Sequence, residues 1–421
     1  MGGNGLYTRQ RRFFHDCQQT YNWVIPDGVT KVWAFVIGGG GGGSLAWSSN
    51  NQDRQGAAGG AGGGYASGTI SGLTPGNTIT VTVGKPGRGQ TRDYSGSAGT
   101  ASSFGSYLTG NGGTNGTTHS YGAAGADGSS AWGTGGSAST SGVSDAYTSP
   151  GGGISPQPNS DRLGYYTTAA GGGASSGSPF GRGSNRPHFM KRAANGGAGW
   201  STGNMKNQPW YAYITTYENQ MQEGSLGGDG SHSMAQVMHR NGNNEGSNCT
   251  RGGNGMTAIG GDAYFGLMQT TQQNASFKER CGENANPNWW FPWEIDGGGG
   301  GSTAAQISTN WTSTGDTYGW KRGIAGNGGP GAGGGGAFFN RQDYNMAYTL
   351  HGGDGGFGGG GGGAYAWYYT YTHQQICSSS GGNGGIGGGG GSCHGAATQN
   401  SQTWQSGRGG NGGRGIVAVY W

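Results

Sequence analysis

The sequence predicts a mainly β chain. Polyglycine II helices form a bundle, both chain ends contribute a small antiparallel β-sheet, and long aromatic-rich loops join the glycine runs. Three observations carry this. Glycine supplies 105 of 421 residues, against a usual share of about 7%. The runs GGNGGIGGGGG from Gly381 and GRGGNGGRG from Gly407 read in threes with glycine at two places of three, which is the period of a polyproline II helix. Finally, apolar runs abut glycine runs in mirror order at the two ends, Thr30 to Ile37 before Gly38 to Gly43, and Gly412 to Gly415 before Ile416 to Trp421.

A helix of this period has no internal hydrogen bonds, so order requires several such segments to lie side by side and satisfy each other's backbone groups. Glycine is needed wherever neighbours approach closely. With Pro only 12 of 421 residues, the collagen pattern does not apply. Ordering a residue costs roughly 1–2 kcal/mol of backbone entropy, and a hydrogen bond returns on the order of 1 kcal/mol net. The 14 Trp, 21 Tyr and 12 Phe are therefore expected to supply the margin, and they also argue against a flexible linker.

In chain order, residues 1–20 are polar and basic and read as an N-terminal docking arm carrying Arg9, Arg11, Arg12, Phe13 and Phe14. Residues 21–421 read as one glycine-rich domain. Tyr21 to Ile25 and Thr30 to Ile37 are strands about the turn Pro26-Asp-Gly28, and Thr78 to Val83 alternates like a half-buried strand. Residues 21–90 and 412–421 thus frame the sheet, and 91–411 hold the bundle and its loops. Short helices are expected at Tyr217 to Gln222 and Ser233 to Arg240.

A net charge of +4 is too dilute to indicate nucleic acid as a partner. No apolar run approaches the ~20 residues that span a bilayer, and the start lacks the apolar core of a secretory signal. GxGxxG recurs by chance at this glycine content and lacks the strand, helix and acidic partner of a dinucleotide site. The Asp residues of GGDG at 227–230 and of Gly353 to Gly355 suggest calcium only weakly, because the calcium-binding nonapeptide is missing. His373, Cys377, Cys393 and His394 are zinc-ligand types at an unusual spacing. A Cys377–Cys393 disulfide and free buried thiols are the alternatives. Acids are sparse and form no catalytic pair, so no enzyme activity, metal or cofactor is expected.

The segments WVIPDGVTKVWAFVIGGGGGG, GGAGGGYASGTISGLTPGNTITVTVGKPG and GGNGGRGIVAVYW resemble the glycine-rich domain of phage tail-fibre proteins. They are also similar to the glycine-rich region of anaplastic-lymphoma-kinase-type receptors. The chain resembles, in addition, the terminal adhesins of T-even-like tail fibres. That resemblance implies a polyglycine II stack whose intervening loops contact the host. It implies a virion protein on the particle exterior, with other virion proteins and a host-surface glycan or outer-membrane protein as partners, and without nucleic acid or membrane insertion. A homo-oligomer is compatible with it.

The contact positions would be Trp210, Tyr211 and Tyr213, then Trp289, Trp290, Phe291 and Trp293, and then Tyr365, Trp367, Tyr368, Tyr369 and Tyr371. Loops rich in Tyr, Trp, Ser, Gly and Asn suit recognition. The same rings packed on glycine faces would instead be core. A fibre, collar or capsid-decoration subunit with an assembly role only is the alternative, and a glycan-acting enzyme a further one.

Overall fold

In the computed structural model the described residues are 10–16, 19–48, 55–91, 94–120, 133–155, 169–170, 172–179, 181–183, 186–187, 192–193, 196–197, 237–238, 249–250, 264–268, 280–281, 303–307, 321–328, 331, 333–341, 348–368, 377–396 and 407–421. Their strands fall into seven sheets.

Two five-stranded antiparallel sheets face each other as a sandwich. The first runs Arg11–Phe14, Ile416–Tyr420, Lys31–Ile37, Tyr65–Ser71, Ser144–Ser149, and the second Ala138–Thr140, Leu108–Gly110, Ser102–Phe104, Thr78–Thr82, Thr20–Val24. Period-two patterning sets the faces: in Thr78–Thr82 the apolar Ile79 and Val81 turn inward between exposed threonines, and Trp23 is the buried residue of Thr20–Val24. Between the sheets Phe14, Val32, Ala34, Val36, Ile70, Val417 and Val419 meet Trp23, Ile79, Val81, Phe104 and Leu108. Each large side chain buried this way contributes about 1.5–3 kcal/mol. The outer face of the first sheet carries a second cluster, Phe35, Ile37, Tyr65, Ile416 and Ala418.

The expected bundle of polyglycine II helices closed by one small sheet is corrected. The described residues contain no helix, and sheets, antiparallel and parallel, organise them. The glycine runs are short extended segments that continue the strands. The segment 38–44 leads from the strand Lys31–Ile37 to the strand Leu45–Ser48, and 58–64 leads from Gln55–Ala57 back to Tyr65–Ser71. Anchored in strands at both ends, each segment takes its direction from the sheets. Its backbone groups are satisfied sideways: the N–H groups of Gly38, Gly41 and Ser44 donate to the carbonyls of Gly64, Ala61 and Ala58, those of Gly39 and Gly42 to Thr100 and Ser97, and those of Gly40 and Gly43 to Gly413 and Gly410. A Cβ on Gly41 would run into the carbonyl of Thr114, so this approach admits only glycine.

Beyond the glycine segments lies a tier of mostly parallel strands. A six-stranded sheet runs Tyr264–Met268, Thr303–Ile307, Ala337–Arg341, Ala364–Tyr368, Cys393–Ala396, Leu45–Ser48, and a four-stranded sheet runs Arg280–Cys281, Lys321–Ile324, Tyr348–His351, Cys377–Ser380. A smaller four-stranded sheet joins Thr118–Ser120, Gln55–Ala57, Ala169–Ala170 and Arg192–Ala193. Val237–Met238 is a strand paired with Cys249–Thr250, where the sequence suggested a helix over Ser233 to Arg240. Tyr217 to Gln222 lies outside the described residues.

Candidate functional site

The C-terminal part repeats one unit. A strand of the four-stranded parallel sheet enters a glycine segment, turns, and returns through a second glycine segment to a strand of the six-stranded sheet. In two units the turn is closed by the N–H of Gly359 donating to the carbonyl of Gly356 at 2.8 Å and that of Gly388 to Gly385 at 2.7 Å. Gly358 and Gly387 take the left-handed backbone there, with φ 73° and 72°, as the third position of a type II turn demands. The turn residues Phe357 and Ile386 pack against the outer cluster of the sandwich.

The turns therefore point at the sandwich, and the chain between units leaves from the opposite ends of the strands. It departs after Arg341, Tyr368 and Ala396 and re-enters at Tyr348, Cys377 and Gly407; after Ser48 it re-enters at Gln55. The strand ends after Ser48, Met268, Ile307, Arg341, Tyr368 and Ala396, all in one parallel sheet, thus share one edge of the strand tier, opposite the glycine segments. A rigid lattice presenting connections on one face is a scaffold suited to contact.

The residues singled out from the sequence are placed as follows. Tyr365, Trp367 and Tyr368 belong to the strand Ala364–Tyr368 instead of a loop, with Tyr365 in register with Phe338 and His394, Trp367 with Asn340 and Tyr368 with Arg341. Tyr369 and Tyr371 fall in the connection that follows, outside the described residues, as do Trp210, Tyr211, Tyr213, Trp289, Trp290, Phe291, Trp293 and Arg9. Arg11, Arg12, Phe13 and Phe14 form an edge strand paired with Ile416–Tyr420. Phe14 is buried in the sandwich, Arg11 and Arg12 are exposed, and each guanidinium lies over a ring, Arg11 on Phe13 at 5.7 Å and Arg12 on Phe14 at 5.0 Å.

Cys393 is a free, buried thiol. Its sulfur lies 2.8 Å from the Ser379 hydroxyl, and burial pushes its pKa up to about 12, so it is held as a neutral thiol, neither bridged to Cys377 nor poised as a nucleophile. Next to Ser379 in the strand Cys377–Ser380, the Ser380 hydroxyl bonds His351 Nδ1. Among the described residues no group of three His, Cys, Asp or Glu is placed to hold a metal, and no helix is long and apolar enough to cross a membrane.

Two features escaped the sequence reading. The first is a side-chain ladder along the exposed rim of the glycine segments. Asn327 Oδ1 accepts the N–H of Asp354 at 2.7 Å, Asp354 Oδ1 that of Asn383 at 2.6 Å, Asn383 Oδ1 that of Asn411 at 3.0 Å, and Asn411 Oδ1 that of Gly89 at 2.9 Å. These side chains cap backbone donors at the surface of the lattice. Their spacings of 27, 29 and 28 residues, each within a glycine cluster, were the available signal. The second is a row of rings on the outer face of the first sheet: Phe13, Tyr420, Trp33, Phe35, Tyr65 and Tyr147 succeed one another at centroid distances of 5.3–6.3 Å. Trp33 and Tyr147 are each 39% exposed.

No curated protein matches this sequence. A family profile described as a glycine-rich domain matches residues 16–276, a span that contains the sandwich strands from Thr20–Val24 to Ser144–Ser149 and the glycine segments 38–44 and 58–64, and the chain belongs to this glycine-rich domain family.

Proposed function

We propose that the chain is a virion protein of the phage tail-fibre or adhesin type, non-enzymatic, that contributes to host-surface recognition through the connections of the strand tier. The observation that supports this most is their common exit. The connections after Ser48, Met268, Ile307, Arg341, Tyr368 and Ala396 leave one face of a lattice most of whose glycine backbone is committed to hydrogen bonds. Variation in such segments leaves the core untouched, which is what a receptor-binding scaffold requires. Tyr369 and Tyr371 supply rigid contact area of the kind that stacks on sugar rings.

A second reading, an assembly role only, draws on the first sheet of the sandwich, where Trp33 and Tyr147 are exposed on the outer face and the edge strand Arg11–Phe14 is basic. Phage carrying Tyr369→Ser with Tyr371→Ser, and phage carrying Trp33→Ser with Tyr147→Ser, separate the two. Intact particles of the first variant that fail to adsorb to host cells support recognition. Normal adsorption by the first, with defective particles from the second, would replace it with the assembly role.

A further inference from the structure

We infer that Asn111 is a site of spontaneous deamidation, singled out by the lattice among the Asn-Gly steps of the described residues. Asn-Gly is the step most open to this reaction, because glycine leaves the following backbone nitrogen unhindered. That nitrogen, once deprotonated, attacks the side-chain Cγ. The new N–Cγ bond closes a succinimide, and the Cγ–Nδ2 bond breaks with release of ammonia. Water then opens the ring to aspartate or isoaspartate. The nucleophile must be free to lose its proton and to swing toward the side chain.

Five such steps lie in the described residues, starting at Asn111, Asn115, Asn327, Asn383 and Asn411. In four the nucleophile is committed. The N–H of Gly116 donates to the carbonyl of Gly42 at 2.9 Å, that of Gly328 to Asp354 at 2.8 Å, that of Gly384 to Asn411 at 2.9 Å and that of Gly412 to Gly87 at 2.8 Å. For three of these, the Asn side chain is also fixed as an acceptor in the rim ladder. Gly112 differs. Its neighbours Asn111 and Gly113 donate to Ser137 and Gly39, whereas the N–H of half-exposed Gly112 donates to no acceptor among the described residues. The Asn111 side chain is exposed, and among the described residues its hydrogen bond is the donation from Nδ2 to Ser137 Oγ at 2.8 Å.

The product perturbs the lattice locally. In isoaspartate the main chain runs through Cβ and Cγ, one methylene longer before Gly113, which bonds Gly39 and Gly99, and the former main-chain carbonyl of Asn111, which accepts the N–H of Gly64, becomes a free carboxylate outside the chain. Both sets of bonds cannot stay in register with the longer backbone.

The test incubates the intact protein at mildly alkaline pH, alongside the same protein unfolded in guanidinium, and maps amide-to-acid conversion by peptide mass spectrometry. In the folded protein Asn111 should convert about tenfold or more faster than Asn115, Asn327, Asn383 and Asn411, whose reaction waits on local opening. In guanidinium the five rates should converge. Asn111→Gln, an exposed and conservative change, should remove the first acidic species from the charge profile. Equal folded-state rates at the five sites, faster conversion at one of the other four, or no conversion at Asn111 while the unfolded control reacts, would each overturn the inference.

Discussion

Gly41→Ala is expected to destabilise the protein by about 3–5 kcal/mol, from two bonds at about 1 kcal/mol net each and about 1–3 kcal/mol of overpacking. The added Cβ meets the carbonyl carbon and oxygen of Thr114 and the nitrogen of Asn115. All three are backbone, so no rotamer change relieves the contact and the segments must part. Gly41 donates to Ala61 at 2.8 Å and accepts from Gly390 at 2.9 Å, and these are the bonds the displacement breaks. The matched control is Gly28→Ala. Gly28 has φ 77° with open space where a Cβ would stand, so it carries only the left-handed penalty of about 1–2 kcal/mol. Urea unfolding followed by tryptophan fluorescence measures both, since Trp23 sits in the sandwich core, with an unchanged slope showing that stability alone has moved. A Gly41→Ala midpoint equal to that of Gly28→Ala would refute the claim that close main-chain approach holds the glycine segments.

The rim ladder makes a smaller, local contribution. Asn383→Ala leaves the N–H of Asn411 to water and should cost about 0.5–1.5 kcal/mol, with hydrogen exchange at Asn411 accelerated and the sandwich amides unchanged; an unaltered exchange rate at Asn411 would remove the ladder from the account. Alkali should act through the buried acids. Tyr65 rises from 10.0 to about 12 and Cys393 from 9.0 to about 12, both chiefly through burial. Their neutral forms are favoured in the fold, so the stability they lend is full below pH 9 and is lost as pH climbs toward 12. Thermal melts across that window should fall, and Cys393→Ala should flatten the lower part of the decline, whereas a melt independent of pH there would contradict the burial.

What could be read from the chain was local. The strands over Thr20–Val24, Lys31–Ile37, Thr78–Thr82 and Ile416–Tyr420 follow from alternation and from apolar runs bounded by turn residues, because side chains two apart share a face wherever the backbone is extended. The glycine clusters likewise marked where main chains come close, since only a residue without Cβ permits it. Tyr365 to Tyr368 misled the reading: a dense aromatic stretch after a glycine run suits a loop and a strand equally, and its pairing with Ala337–Arg341 and Cys393–Ala396 is what fixes it as a strand. The candidate face was legible only as a set of polar and aromatic stretches between glycine runs.

The sequence by itself determined, then, which stretches are extended, which are bare of side chains and which residues prefer water. The tertiary structure alone decided that the glycine runs continue strands in place of forming a helical bundle, that the turns at Phe357 and Ile386 point at the sandwich, that the strand ends after Ser48, Met268, Ile307, Arg341, Tyr368 and Ala396 share the opposite edge, and that Asn327, Asp354, Asn383 and Asn411 line one rim. The reason is that a glycine backbone carries identical donors and acceptors at every residue. Composition fixes that two segments are able to touch, but which carbonyl a given N–H meets depends on neighbours hundreds of residues away, as when Gly89 binds Asn411 across 322 positions.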